Sequence, residues 1–533
     1  DLFVQCEARR DLASLHFLND ITKTLLAYNE NILFNDIFCK ELSVLALAGM
    51  LEYDRKYPKF KAEHRNLLIG DYRFACLRAL RDAPLFPGLE INILRMEHIL
   101  TYFRSVFLSI NLEDHVVSTL SSMIYKCQLD ILNFMRRSQA NGNFLESLFK
   151  LYESRDTERE QQRDEIRMIH YFVMTAKSHV ASVKPEFFGY LTRCGFSRMI
   201  TAALEDPCSE IRALGTELVV ILLDQDVLLA NTASANESHV DELEDLEDHA
   251  AESVYNEDAT PRPLRLKLIY DVSLSISLSR VLMQSREAGL QVQAYEALKA
   301  VLCAAAAEIS AMKDGRGFDE EAQKKEDDAN SSDLSQIHHH QFYTFVAPIL
   351  FVDYIDLASD DSSKRQQAES NLMQRPELHQ YICEIISYCS REHDREICRG
   401  YLLRTGLFRG LFGVLTLRVN VLLKLAAIRC IKSALYMNDL EVSKYVVQHD
   451  LFAHFFSFFE AVVLHNSCTN SLCLDLLYIV EKQASQSAGL VVASYVYETY
   501  RDFLDTRLSY VFIGNTLPKA IEAAEKLEND ELA

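Results

Sequence analysis

Tryptophan is absent from this 533-residue chain, and ten prolines and sixteen glycines are few for its length. With so few breakers and little strand-like alternation, helix is the expected state nearly everywhere. Leu, Phe, Ile and Ala dominate an apolar content of 49%, which suits a folded chain with a continuous core. A basic excess is also missing: 55 Lys+Arg face 77 Asp+Glu, a formal net charge of -22. Binding to nucleic acid needs Lys and Arg to replace phosphate counterions, so this balance argues against direct contact with nucleic acid or an anionic membrane surface. No apolar run approaches the roughly 18 residues of a membrane span; Lys424 and Arg429 interrupt the run 421–435. No secretory segment opens the chain, and a first residue of Asp1 is expected of a fragment of something longer.

The thirteen cysteines form no CxxC pair and mostly sit inside apolar helical patterns, where a thiol acts as a small hydrophobe. An odd, scattered set fits a reducing compartment, cytosol or nucleus. Enzyme motifs are lacking as well. There is no GxxxxGK[ST], HExxH or GxSxG, and Gly315-Arg316-Gly317 lacks the third glycine and preceding strand of a dinucleotide loop. Gly400, Gly406, Gly410 and Gly413 read as helix ends and close contacts. His338-His339-His340 suggests a metal, but successive helical residues point about 100° apart. Surface or groove histidines at a helix start are the simpler reading. Cys383, Cys389 and Cys398 lie near His393 without an orienting third partner, so buried structural thiols are expected. Glu392-His393-Asp394 is a polar helix end. No metal or cofactor is expected.

What the chain does have is a repeat. Gly406-Leu407 opens an apolar run through Phe408, Leu411, Phe412 and Leu415; Asp450-Leu451 opens another through Phe452, Phe455, Phe456 and Phe459. The starts lie 44 residues apart (450 − 406). Second runs follow, Val421, Leu425, Ile428, Ile431, Leu435 and Leu472, Leu476, Ile479, Val480. A helix pair recurring at about 40–47 residues is the mark of armadillo and HEAT repeats, whose usual product is a long binding surface. The expected fold is all-α, a right-handed α-solenoid of armadillo/HEAT-like repeats with acidic flexible loop inserts.

Residues 1–235 are expected to form the first half of the solenoid, with an apolar stripe Leu15, Leu18, Ile21, Leu25, Leu26 and a polar loop over 53–72. Pro84 and Pro87 mark a break. Asp206-Pro207 should start a helix, with a capping Asp and Pro at the first helical position. A flexible acidic loop covers 236–262, its stretch 236–258 holding ten acids and no base. That stretch is either a solvated insert or a segment that steers a partner or docks a basic groove. Helices return over 263–312, a polar loop spans 313–335, and 336–527 form the second half. Ser359–Arg375 reads as a third polar stretch. Arg212 and Arg429 hold similar places in their repeats; each either pairs with an acid on a neighbouring helix or faces a partner.

Several segments, taken together and in order, resemble a known family. Leu51-Glu52-Tyr53-Asp54 is similar to its LEYDP loop, with Arg55 where Pro is usual. Lys61-Ala62-Glu63-His64-Arg65 is similar to the KxxHR segment that follows. Phe144–Phe149 resembles an FLxxxF helix, Asp206–Arg212 an acidic turn into a xxVRxxA helix, and His339–Leu350 a His-rich helix ending APLL. Leu425–Leu435, Asp450-Leu451-Phe452, and Asn470-Ser471 with Asp475-Leu476 continue the series. The family is protein phosphatase 4 regulatory subunit 3, the Smek/falafel family.

The resemblance implies a non-catalytic scaffold that joins the phosphatase 4 catalytic subunit, with regulatory subunit 2, to phosphoprotein substrates. It also implies action in nucleus and cytoplasm, including DNA-damage recovery. The catalytic metallophosphatase segments GDxHG, GDxVDRG and GNHE are absent here. The residues expected to contact partners are Glu52, Tyr53, Asp54, His64, Arg65, Arg212, Arg429, Asn470 and Asp475. The competing expectation is a general armadillo adaptor for transport or the cytoskeleton, unrelated to a phosphatase.

Overall fold

The computed structural model describes residues 2–28, 33, 40–57, 61–70, 88–110, 114–141, 159–178, 187, 191, 196–237, 268–314, 335–509, 516–524 and 526. The described residues are helices and their connections, without a strand. They fall into two compact units, Asp1–Lys267 and Leu268–Ala533. The acidic stretch 238–258, the loop 315–334, and the break at Pro84 and Pro87 lie outside the described residues.

In the first unit the helices are α1 (Leu2–Arg9), α2 (Leu12–Ala27), α3 (Glu41–Leu51), α4 (His64–Gly70), α5 (Gly88–Ile110), α6 (Asp114–Asn141), α7 (Arg159–Ser178), α8 (Phe196–Leu204) and α9 (Ser209–Glu237). A core of Leu26, Val44, Leu47, Leu51, Leu68, Ile99, Phe103 and Leu120 ties α2 through α6 together. The α2 stripe is rotated from its expected position. Leu15 and Leu26 are buried, whereas Ile21 and Leu25 are exposed. Asn19 and Thr22 take the inner face, because Asn19 Nδ2 donates to the Met50 carbonyl (3.0 Å) and Thr22 Oγ1 to that of Leu18 (2.8 Å). Part of the expected 53–72 loop is helical, as α4 shows. The helix expected at Asp206-Pro207 starts at Ser209; Asp206 Oδ1 instead accepts from the Cys208 amide (2.7 Å) and from Arg163 Nη2 (2.9 Å).

The second unit holds α10 (Val272–Gln284), α11 (Ala288–Asp314), a helix from 335 that passes through a π-helical turn Phe342–Val346 into α12 (Ala347–Leu350), α13 (Val352–Leu357) and α14 (Ser362–Gln374). The π turn has a covalent cause: Pro348 has no N–H, and the Ala347 amide reaches back to the Phe342 carbonyl. Then come α15 (Pro376–Glu392), α16 (Arg395–Arg404), α17 (Leu407–Val414), α18 (Val421–Leu435), α19 (Leu440–Gln448), α20 (Phe452–Glu460), α21 (Cys468–Gln483) and α22 (Ser487–Arg507). The polar stretch 359–375 is therefore a helix, α14, started by Asp361 accepting from the Ser363 amide (2.9 Å). Only Ala368 and Leu372 of α14 are buried, so its pattern is too polar to announce itself.

The sequence period reappears as three-helix repeats, α16-α17-α18 and α19-α20-α21. Short first helices with few apolar residues had masked the third member. Gly406 and Asp450, the matching starts, both adopt left-handed backbone (φ 75° and 45°), which orients α17 and α20 alike. The third helices stack on one another, α15 on α18 and α18 on α21. Ser387 Oγ donates to Cys430 Sγ (3.3 Å) and Cys430 Sγ to the Cys383 carbonyl (2.9 Å). The second helices stack likewise, α13 on α17 and α17 on α20. Phe408, Phe412, Phe452 and Phe455 fill that layer, none with exposed surface. This is the all-α, armadillo/HEAT-type helical-repeat fold that the periodicity anticipates.

One glycine sets the distance between two stacked helices of that layer, α13 and α17. A Cβ on Gly410 would lie 1.9 Å from the Tyr354 carbonyl oxygen. Tyr354 cannot yield, since it is wholly buried and its hydroxyl donates to the His379 carbonyl (2.9 Å). Gly410→Ala should therefore cost about 3 kcal/mol or more through forced separation of α13 and α17. Gly289→Ala, where the added Cβ meets nothing within 4 Å, should be neutral or stabilising by up to about 1 kcal/mol. Urea midpoints followed by circular dichroism check both.

Candidate functional site

Five of the nine expected contact residues gather at the junction of α3 and α4. The Arg65 guanidinium bridges two carboxylates. It donates to Glu7 through Nη1 (2.9 Å) and Nη2 (2.6 Å), and to Glu52 through Nε (3.2 Å) and Nη2 (2.7 Å). The Arg65 backbone amide also donates to Glu52 Oε1 (2.9 Å). Glu52 is 3% exposed, so these bonds are what makes its burial tolerable. The Tyr53 hydroxyl donates to Glu7 Oε1 (2.8 Å), and Lys61 lies 4.8 Å from the centre of the Tyr53 ring. Hydrogen bonding from Arg65 outweighs burial and holds Glu7 down at about 2; bonds from Glu7 and Glu52 raise the Arg65 pKa above the ordinary arginine value. Phe3 caps the assembly 5.5 Å from the guanidinium, over Gly49, where a Cβ would meet the Phe3 ring at 2.6 Å.

Asp54 pairs with Lys23 (2.8 Å). Burial would raise its carboxyl, but Lys23 and the Lys56 amide hold it below the usual range. His64 is half-buried, its ring edge-on to Tyr102 at 6.2 Å, and burial pushes its pKa down. The region thus works as a latch that fastens α1 to α3 and α4, with Glu52 and Arg65 engaged inside the chain. Glu7, its third charged member, had no signal in the sequence: it lies 58 residues from Arg65, outside any local spacing.

The other four are dispersed. Arg212 donates through Nη1 to the carbonyls of Asp206 (2.8 Å) and Pro207 (2.9 Å), closing the turn before α9 rather than pairing with an acid. The acids beside it serve α7, as Arg163 binds Asp206 and Arg167 binds Glu210 (3.0 Å). Asn470 donates to the carbonyls of Val463 (3.2 Å) and His465 (3.1 Å), fixing the entry to α21. Asp475 takes a short hydrogen bond from Lys432 of the preceding repeat. Arg429 is exposed on α18 and has no ion pair among the described residues.

Arg429 belongs to an open groove of about 540 Å³ crossing the stacked helices α11, α15, α18 and α21. Lys299, Arg391 and Lys432 line it with Arg429, and Leu422, Leu425 and Leu472 supply apolar wall. The Tyr295 hydroxyl donates to Glu384 at its edge. Sequence reading found only Arg429 here. Lys299 and Arg391 each interrupt a different helix, and only the stacking brings them together.

The histidines behave otherwise than expected. His338 and His339 are buried, not on the surface; only His340 is exposed. His339 stacks on His393 at 4.5 Å, and His393 Nδ1 lies 3.1 Å from the Tyr343 hydroxyl. Burial pushes His338 and His393 below the ordinary histidine value. Cys383, Cys389 and Cys398 are buried thiols, pushed up by burial. Among the described residues no group of His, Cys, Asp and Glu is arranged to hold a metal ion, and no helix is long and apolar enough to cross a membrane.

A family model described as phosphatase 4 regulatory subunit 3 matches residues 1–523. The chain belongs to the phosphatase 4 regulatory subunit 3 family. Curated relatives agree. The serine/threonine-protein phosphatase 4 regulatory subunit 3 of Kluyveromyces lactis is 24% identical over 503 residues, covering 90% of this chain and 62% of its own length. The protein of that name in Drosophila melanogaster is 22% identical, covering 90% and 42%. Suppressor of Mek1 from Dictyostelium discoideum is 21% identical, covering 95% and 43%. The chain thus spans about half the length of these relatives. The resemblance read from the LEYD, KxxHR and repeat segments is the correct one.

The latch yields a pH dependence. Glu7 has a folded value, about 2, below its ordinary 4.5. Its contribution is therefore complete above pH 4.5 and is lost as pH falls toward 2. Arg65→Ala strands Glu52 and should cost about 2–3 kcal/mol. Peptide-mapped hydrogen-exchange protection factors of α1 should fall in this variant at pH 7. They should fall in the parent chain only below pH 4.5.

Proposed function

We propose that this chain is a non-catalytic scaffold of a serine/threonine protein phosphatase 4 complex, which positions the catalytic subunit near its substrates. Family membership over residues 1–523 is the observation that carries the reading. The relatives named above are called regulatory subunits of that phosphatase. The fold suits the task. A stack of repeats presents an extended surface and a groove instead of an enclosed site with converging titratable groups. Its effect on rate is effective concentration: an enzyme and a substrate held on one support meet as if intramolecularly, and no new chemistry is needed.

In this reading the catalytic subunit and regulatory subunit 2 are the stable partners and phosphoproteins the transient ones. Nucleus and cytoplasm are the places of action. The partner surface lies on exposed faces of the third helices, where Arg429 is free, and not on Glu52 and Arg65, which the latch occupies. Size-exclusion chromatography of residues 1–533 mixed with the phosphatase 4 catalytic subunit, with and without regulatory subunit 2, tests the proposal. Co-elution in a stoichiometric complex, with no phosphatase activity from the chain alone, is the expected result. Separate elution under both conditions would refute it.

A further inference from the structure

Several cations of the second unit are held in ion pairs. Arg399 has Asp439 (2.8 Å), Lys444 has Glu441 (3.1 Å), Arg501 has Asp505 (3.5 Å), and Lys432 has Asp475. Arg391 and Arg429 differ: both are exposed, both line the groove, and neither has an ion pair among the described residues. Lys299, in the same groove, lies 5.4 Å from the centre of the Tyr295 ring. Four cations, Lys299, Arg391, Arg429 and Lys432, thus meet a single lining carboxylate, Glu384, in a chain of net charge -22. A second groove of about 310 Å³ continues from Arg391 and Ser433 past Arg395 to Tyr436.

We propose that this groove binds an extended, carboxylate-rich peptide segment of a partner protein. The proposal rests on the reading of the chain as a scaffold and specifies what one of its surfaces recognises. The layout of charge selects the ligand. Lys299 lies on α11, Arg391 on α15, and Arg429 and Lys432 on α18; with Lys432 taken by Asp475, the cations left without an ion pair fall one per helix. A phosphate dianion is matched by a fork of converging donors, whereas a row of single cations matches a row of monoanions. Stacked helices lie about 8–10 Å apart, and an extended peptide rises about 3.3 Å per residue. A peptide crossing the helices therefore brings every third residue to the next cation, so Asp or Glu at i, i+3 and i+6 fits the groove. Leu422, which is 55% exposed, together with Leu425 and Leu472 offers apolar wall for a Leu or Phe carried between the acids.

Fluorescence anisotropy with the whole 1–533 chain tests this. The probes are a labelled peptide with Asp at every third position and one Leu, its Asn counterpart, and a neutral counterpart carrying one phosphoserine. The Asp peptide should bind at least about tenfold tighter than the Asn peptide, and its affinity should fall as salt rises, since exposed charges are screened within about 8–10 Å. Arg391→Glu with Arg429→Glu should weaken the Asp peptide at least about tenfold. The milder Arg391→Gln with Arg429→Gln should weaken it less, in a chain of unchanged helicity and unfolding midpoint. Equal binding of Asp and Asn peptides overturns the proposal. So does capture of the phosphoserine peptide alone, or indifference to both arginine pairs in folded protein. Co-elution of the catalytic subunit without peptide binding would refute this inference alone; loss of co-elution would refute the scaffold reading, whatever the peptides do.

Discussion

The constraint on which everything else depends is register between helices about 43 residues apart. No helix of a repeat can bury its apolar face alone, so it must meet its counterpart in the next repeat. The contacts that fix this register recur at nearly constant separation. Ser387 meets Cys430 and Lys432 meets Asp475, each 43 residues on. Arg163 meets Asp206 and Arg167 meets Glu210 at 43, and His170 meets Glu217 at 47 (2.9 Å). Small side chains make the approach possible. Ser387 and Cys430 meet in the α15–α18 seam, where larger groups would hold the helices apart, and Gly410 does the same for α13 and α17. Every surface feature, the groove included, is what these seams leave uncovered.

The same constraint explains what could be read in the residues. The 407–415 and 451–459 runs were legible because nearly every apolar residue in them is buried, and their 3.6-residue spacing is strong. Asp361, Asp394, Asn420 and Asp439 cap helix starts by ordinary chemistry, although none of them was read as a start in the sequence. The failures share a cause. The α14 and α4 segments are polar around most of their circumference, and helix there is decided by neighbours. The α2 face was misjudged because Asn19 and Thr22, polar in sequence, find backbone acceptors inside. His338 and His339 looked like surface residues, yet both are buried and their rings pack against other aromatic rings. In each instance tertiary context overrode a local signal.

The charged residues divide by location in a way that the sequence could not show. Glu52 and Arg65 are adjacent in the LEYD–KxxHR pattern and look like a docking surface. The structure places a third group, Glu7, across from them, and the set closes on itself. A buried carboxylate such as Glu52 without Arg65 would be costly, so these residues are held by the demands of folding whatever else they contact. Arg429 is under no such demand. It stands in water on the outer side of a seam, and an exposed arginine contributes little to stability in either state. Residues of these two kinds are indistinguishable as letters; burial separates them.

A chain of net charge -22 that offers a groove to acidic peptides raises an electrostatic question, and distance answers it. At physiological ionic strength the field of a charge fades over about 8 Å. Acids on remote helices therefore add little to the potential within the groove, where the nearest fixed charges are Lys299, Arg391, Arg429 and Lys432 against Glu384 and Asp475. The remote charge acts instead on encounter, slowing the approach of an acidic partner. Specificity follows from the combination. An acidic ligand lacking the spacing meets fewer cations in the groove and gains correspondingly less there. A ligand with an acid at every third residue meets a cation on each helix it crosses, so recognition is tied to the same helix spacing that holds the repeats together.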